Sequence, residues 1–357
     1  MQRSQLSCSP FIQVANLSDE HADPINCLSF SHDGCLLASG GDDGKLVVWD
    51  PAERKPKCRV IFENSVDILL WHPIYPGSLI VGLSNGDLQQ LSGFGSLRDY
   101  EQVEIRLGGK QAIHCVAYDD TTRCLAVGMG SRVYVTRECQ RNVYAGIITL
   151  PEPLSPEVLQ GPDRVHLNAK KVVAIDVSFH KDGKNLIVSY VSHGIVCWDT
   201  STHGRLWEIS LPVATPTIAG AVLFAPVRLL AVYNSVSGVD MYDIAYHGKQ
   251  RPRKTYPLDE RPHSKHRLPV QFINYGAQLF CGTTNGNVRI WDVASANVFQ
   301  DLHHDSASPT RLYTAVVKQN KSYIATGSIG SGGRPQIKVW AANLGERLCA
   351  SARFNIH

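Results

Sequence analysis

No stretch of this sequence approaches the roughly 18 consecutive apolar residues that would cross a bilayer as a helix. Its most apolar segment, "AGAVLFAPVRLLAVY", is interrupted by Pro226 and Arg228. The opening residues, "MQRSQLSCSPFIQVANL", lack the apolar core of a secretory signal, so no membrane partner or secretion is expected. The ten cysteines include no C-x-x-C pair. Neither a structural zinc site nor a disulfide framework is therefore indicated, and no metal or cofactor is expected. Cys27, Cys115, Cys197 and Cys281 lie in apolar runs, where a thiol acts as a small hydrophobe. Reduced thiols suit a cytoplasmic protein, with the nucleus as an alternative. The formal charge of +3 makes no global claim on nucleic acid, so any such partner would need a local basic cluster.

What is present is a repeat. The 357 residues, 43% hydrophobic, suffice for two ordinary domains or one large repeat-built domain. "HADPINCLSFSHDGCLLASGGDDGKLVVWD" (His21 to Asp50) predicts three short strands, Ile25–Phe30, Cys35–Gly40 and Lys45–Trp49, separated by the turns "SHDG" and "DDG". Two related units also end in Trp-Asp: "SFHKDGKNLIVSYVSHGIVCWD" (to Trp198-Asp199) and "FINYGAQLFCGTTNGNVRIWD" (to Trp291-Asp292). Four weaker units follow the same order. Aligned at the tryptophan, the seven give Trp49, Leu91, Val135, Trp198, Tyr242, Trp291 and Trp340, at intervals of 42, 44, 63, 44, 49 and 49 residues. Units of this length with four strands each indicate a propeller.

The first unit resembles a WD-repeat blade nearly position for position, and the likeness extends over the chain with declining quality. In that family a histidine, a serine or threonine, an aspartate and the tryptophan form a buried hydrogen-bonded tetrad. Here the resemblance assigns those roles to His21, Ser39, Asp43 and Trp49. It implies an all-β, seven-bladed propeller of four-stranded antiparallel blades spanning 1–357. The expected blades are 19–63, 64–107, 108–150, 170–210, 211–257, 266–303 and 309–341, with a strand at 10–17 favoured to close the ring and the C-terminal "GERLCASARF" as the competing candidate for that slot. A proline-rich inserted loop (150–169) and a C-terminal tail (341–357) complete the chain.

Several segments carry the signature of other chemistry. Gly82-Leu83-Ser84-Asn85-Gly86 matches the G-x-S-x-G of serine hydrolases, whose nucleophile sits between a strand and a helix. Here Ser84 leads into "NGDLQQL", a hairpin turn (type I′ by its Asn-Gly) and another strand, and units one and six carry equivalent segments. "GSIGSGGR" (Gly327–Arg334) lacks both phosphate-loop patterns and reads as a lengthened hairpin. "HHD" (His303–Asp305) reads as a solvated loop. "HGKQRPRKTYPLDERPHSKHR" (His247–Arg267) holds seven Lys/Arg against two acids, making Lys249, Arg251, Arg253 and Lys254 a candidate basic contact.

The expected function is a non-catalytic scaffold that presents rim loops to peptides or proteins. Asp23, Ser84, His193, Asn234 and Thr284 are the candidate contacts; nucleic acid is not an expected partner. The alternative is a substrate receptor of a cullin-type ubiquitin ligase. The Trp-Asp-x-Arg common in such receptors is missing, since the pairs continue as "WDPA", "WDTS" and "WDVA". A hydrolase using Ser84 is the alternative from another class.

Overall fold

Burial alternates along some strands and is continuous along others. "KPKCRVI" (Lys55–Ile61) buries only Cys58 and Val60, whereas every residue of "SLIVGL" (Ser78–Leu83) is buried. A strand covered on one face alternates; one sandwiched between neighbours on both faces does not. In the computed structural model, the described residues are 8–94, 100–153, 172–210, 217–234, 236–245, 251–258, 269–283, 286–304, 310–328 and 334–345.

They form 28 strands in seven antiparallel four-stranded sheets. After β1 (Ile12–Leu17), blade 1 is β2 (Ile25–Phe30), β3 (Leu37–Gly41), β4 (Lys45–Asp50) and β5 (Lys55–Ile61). Blade 2 is β6 (Val66–Trp71), β7 (Ser78–Leu83), β8 (Leu88–Ser92) and β9 (Glu101–Glu104). Blade 3 is β10 (Ile113–Asp119), β11 (Cys124–Met129), β12 (Arg132–Gln140) and β13 (Val143–Thr149). Blade 4 is β14 (Ala174–His180), β15 (Asn185–Tyr190), β16 (Gly194–Asp199) and β17 (Arg205–Ile209). Blade 5 is β18 (Ile218–Phe224), β19 (Leu229–Asn234), β20 (Gly238–Asp243) and β21 (Lys254–Pro257). Blade 6 is β22 (Val270–Ile273), β23 (Gln278–Gly282), β24 (Asn287–Asp292) and β25 (Val298–His303). Blade 7 is β26 (Thr310–Lys318), β27 (Lys321–Ser328) and β28 (Ile337–Asn343), with β1 as its fourth strand.

The first strand of each blade touches the first strand of the next, and β26 of blade 7 touches β2 of blade 1. The ring is closed. β1 seals it by pairing antiparallel with β28, from Ile12 opposite Ala341 to Leu17 opposite Ile337, and Cys8 bridges Leu344 beyond. The N-terminal strand thus covers an edge that would otherwise be open to other chains. The core is divided the same way, into seven apolar clusters with one in each seam between adjacent blades. Cys27, Val48 and Val60 of blade 1 meet Val66, Leu79 and Leu91 of blade 2. Leu37 and Trp49 meet Ala325 and Val339 across the seam beside the closure.

Three details differ from the sequence reading. Leu37, Leu79, Leu186, Leu230 and Leu279 each face the tryptophan position of their blade, but Leu125 faces Thr136 rather than Val135. The hairpin of blade 3 is one residue shorter, with Met129 paired directly to Arg132, so aligning on an apolar residue lands one place early. The Asn85-Gly86 turn is not type I′, which needs positive φ at both central residues. Only Gly86 is left-handed (φ 93), and its N–H donates to the Leu83 carbonyl, making Ser84-Asn85 the centre of the turn and Gly86 the residue after it. β28 also runs to Asn343, past residue 341. Most of the proline-rich segment (154–171) and the tail beyond 345 lie outside the described residues.

Candidate interaction surface

The closed ring has two faces. One carries the second-to-third-strand turns and the links between blades; we call it the turn face. The opposite face carries the first-to-second and third-to-fourth turns. Near the turn face, the first strands of six blades shift register, which marks a bulge. The residues skipped are Asn26, Asp67, His114, Ile175, Ala219 and Arg311, one per blade around the mouth of the ring. Asn26 Nδ2 donates to Asp42 Oδ1 and approaches Asp67 Oδ1 at 3.5 Å, linking blades 1 and 2 there.

Beneath this face in blade 1 lies a chain of buried hydrogen bonds. Trp49 Nε1 donates to Ser39 Oγ (2.8 Å), Ser39 Oγ meets His21 Nε2 (2.8 Å), and His21 Nδ1 meets Asp43 Oδ1 (3.1 Å). Burial, opposed by the nearby Asp43 carboxylate, pushes the His21 pKa below 6.5 and keeps the ring neutral. One donor order then satisfies every atom: indole N–H to hydroxyl, hydroxyl to Nε2, Nδ1–H to carboxylate. Burial raises the Asp43 pKa, but the Ala22 N–H, His21 and the Lys45 N–H together outweigh it and hold it low. Trp49 and His21 therefore do not share Asp43 as an acceptor; Ser39 stands between them. The arrangement superficially matches a Ser-His-Asp relay. However, Ser39 is 0% exposed and its oxygen is capped by the indole, so no substrate reaches it.

Blade 7 holds a second such chain that the sequence reading missed. His304 Nε2 meets Thr326 Oγ1, and Trp340 Nε1 donates to the same oxygen at 2.9 Å. His304 is buried, which corrects the reading of "HHD" as a solvated loop; of the two histidines, His303 is the exposed one, with Nδ1 2.9 Å from Asn287 Oδ1. The signal was available: Thr326 lies two residues past Ile324, as Ser39 lies two past Leu37. In blade 6 the same slot is Cys281, and the buried Trp291 indole nitrogen has no hydrogen-bond partner.

A third buried polar group, also unread in the sequence, joins blades 2 and 3 near the opposite face. Tyr118 Oη donates to Glu138 Oε2 (2.6 Å), and the Asn142 N–H donates to Oε1 (3.0 Å). His72 Nδ1 accepts the Ile74 and Tyr75 N–H groups, so its proton sits on Nε2, 3.3 Å from Glu138 Oε2 but too poorly aligned for a full hydrogen bond. Burial pushes the His72 pKa down, against the pull of Glu138.

The candidate rim residues do not all face solvent. Asp23 is exposed, while Ser84 and His193 are half-buried. Ser84 donates its backbone N–H to the Ser65 carbonyl and is followed by β8, not by the helix an elbow requires. Asn234 is 1% exposed, with its carboxamide bonded to Asp240, Ser237 and the Val236 and Ser237 N–H groups; it builds its turn from within. Thr284 and Lys249 lie outside the described residues. Of the other basic candidates, Arg251 is exposed and Arg253 lies 3.7 Å from Asp243 Oδ2. Lys254 Nζ donates to the Val293 and Ala294 carbonyls of blade 6, which commits it to the seam. The aspartates after the tryptophans fold third-to-fourth-strand turns. Asp199 accepts the Ser201 and Thr202 N–H groups and the Ser201 hydroxyl, which hold its pKa at about 2, and Asp292 accepts Ser295 twice.

The family model of the WD domain, G-beta repeat, matches residues 13–50. That segment holds most of β1 together with β2, β3 and β4, so the matched repeat straddles the closing strand and blade 1. The chain is a seven-bladed β-propeller that carries a WD repeat across its closing strand and first blade. WD and tetratricopeptide repeats protein 1 of Homo sapiens and of Mus musculus are each 45% identical over 49 residues, 13% of this chain. An uncharacterized WD repeat-containing protein of Schizosaccharomyces pombe is 31% identical over 65 residues, 18% of this chain. The matches span only 7% and 12% of those relatives' lengths. WD-repeat propellers are generally non-catalytic and generally bind other proteins.

Proposed function

We propose that this propeller is a non-catalytic platform that binds a peptide or protein partner on its turn face around blades 1 and 2. The supporting observation is that buried relays lock the second and third strands of blades 1 and 7, while Asn26, Asp42 and Asp67 cluster at the ring mouth across blades 1 and 2 and exposed Asp23 lies in the link leading into β2. Affinity at such a surface comes from loop side chains held by a scaffold that does not move. The carboxylates there suit a partner with Lys or Arg at its contact.

A photo-crosslinking residue placed at Asp23 or Ser84 tests this in cells. Crosslinks to other polypeptides from these positions, and not from Leu206 on β17, are expected. Equal crosslinking from all three would remove the assignment to the turn face. A fluorophosphonate probe separates the enzyme reading: labelling at Ser84 would contradict a non-catalytic platform.

A further inference from the structure

On the opposite face, a cleft of about 150 Å³ opens where blades 5, 6 and 7 meet. Phe224 and Phe272, with ring centroids 5.3 Å apart, form part of its wall, and Ala315 and Val316 of β26 contribute another. Two polar side chains also line it. Asn274 is 1% exposed; its Nδ2 donates to Gln278 Oε1 and Cys8 Sγ, leaving Oδ1 with no partner. Ser322 is 0% exposed, and its hydroxyl has no partner either. A buried polar atom without a partner costs about 1–3 kcal/mol, so two at one apolar cleft mark a place that something else completes.

The chemistry of the completing group can be read from the walls. A cavity of roughly 150 Å³ holds a benzene ring. Asn274 Oδ1 can only accept, while the Ser322 hydroxyl can donate. A phenol answers both: a six-membered ring for the apolar walls, an O–H for Oδ1 and lone pairs for the serine. The surroundings show how it is presented. Val227 and Tyr275 leave apolar surface at 55% and 43% exposure, as expected where a partner's chain crosses. Exposed Arg228 ends the turn after Phe224, and exposed Lys321 precedes Ser322, so the approach is basic. Gly276 allows the Phe224 ring to pack close, because a Cβ there would lie 2.3 Å from it.

We propose that this cleft docks one tyrosine side chain from an acidic segment of a partner protein. The inference rests on the platform reading and adds a second face to it. It is tested on the full chain by NMR titration with p-cresol and with toluene, following the Asn274 side-chain amide and the Ser322 backbone amide. Saturable millimolar binding of p-cresol, at least fivefold tighter than toluene, is expected at these resonances. Ser322→Ala should abolish that preference, and Ala315→Leu should block both ligands by filling the cleft, each with a folded spectrum. The capped peptide Glu-Tyr-Glu should bind at least fivefold tighter than Lys-Tyr-Lys. Equal binding of p-cresol and toluene, or no shifts at either residue, would overturn the site and leave only a solvated void. Equal binding of the two peptides would overturn the acidic partner. None of these failures touches the turn face, whose reading instead falls if crosslinking from Asp23 and Ser84 is unselective.

Discussion

The Trp49 indole donates to Ser39 Oγ at 2.8 Å and does not reach Asp43. Ser39 is therefore the hinge of the relay: it serves the tryptophan on one side and His21 on the other. Ser39→Ala orphans two buried groups at about 1–3 kcal/mol each, whereas Trp49→Phe removes one donor. A double-mutant cycle by urea denaturation should give a coupling of at least about 0.5 kcal/mol between Ser39 and Trp49. Additive costs would mean the hydrogen bond is not formed in solution.

Blade 7 should depend on His304 and not on its neighbour. His304→Ala leaves Thr326 and Trp340 with an incomplete chain and should cost about 1–3 kcal/mol, while exposed His303→Ala should stay within about 0.5 kcal/mol. Equal effects in urea denaturation would return "HHD" to a surface loop.

Blade 6 offers the converse experiment. Cys281 occupies the slot that Ser39 fills in blade 1, and the indole N–H of Trp291 has no acceptor. Cys281→Ser places an oxygen there without changing the shape of the core. It should stabilise the protein by about 0.5–1.5 kcal/mol, seen as a higher melting temperature. A lower melting temperature would show that the slot is not equivalent.

Stability should fall as the medium becomes mildly acidic. Burial holds His21 and His72 below the ordinary 6.5, so the unfolded chain takes up their protons first. Their contribution is complete above pH 6.5 and is lost as pH falls through the folded-state values. Asp43, a carboxylate held low, acts only below 3.8 and does not confuse this window. The urea midpoint should drop between pH 7.5 and 5, and should drop less in His21→Gln/His72→Gln. An equally steep drop in that variant would place the titrating groups elsewhere.

The fold was legible because each blade repeats a local rule, apolar alternation broken by a turn, and repetition makes weak copies recognisable beside a strong one. Blade 1 could be read residue by residue because His21, Ser39, Asp43 and Trp49 stand close in sequence. The equivalent chain of blade 7 was hidden by its length: Thr326 and Trp340 are separated by a longer hairpin, and His304 follows β25 in what looks like a polar loop. The His72–Glu138 group was illegible for a different reason. His72 comes from a turn of blade 2, while Tyr118, Glu138 and Asn142 come from two strands and a turn of blade 3, and no local spacing connects them. Asn234 shows the limit for rim residues, since the same Asn that suits an exposed turn tip can fold inward to build the turn.

The platform is tested most directly by comparing the proteins captured in cells by three forms of the chain. The wild type is set against Asp23→Lys/Asp42→Lys on the turn face and Arg251→Glu/Arg253→Glu on the outer edge of blade 5, all at matched abundance and melting temperature. The account predicts that the first variant loses partners the wild type retains and that the second keeps them. A partner set unchanged by Asp23→Lys/Asp42→Lys would contradict it.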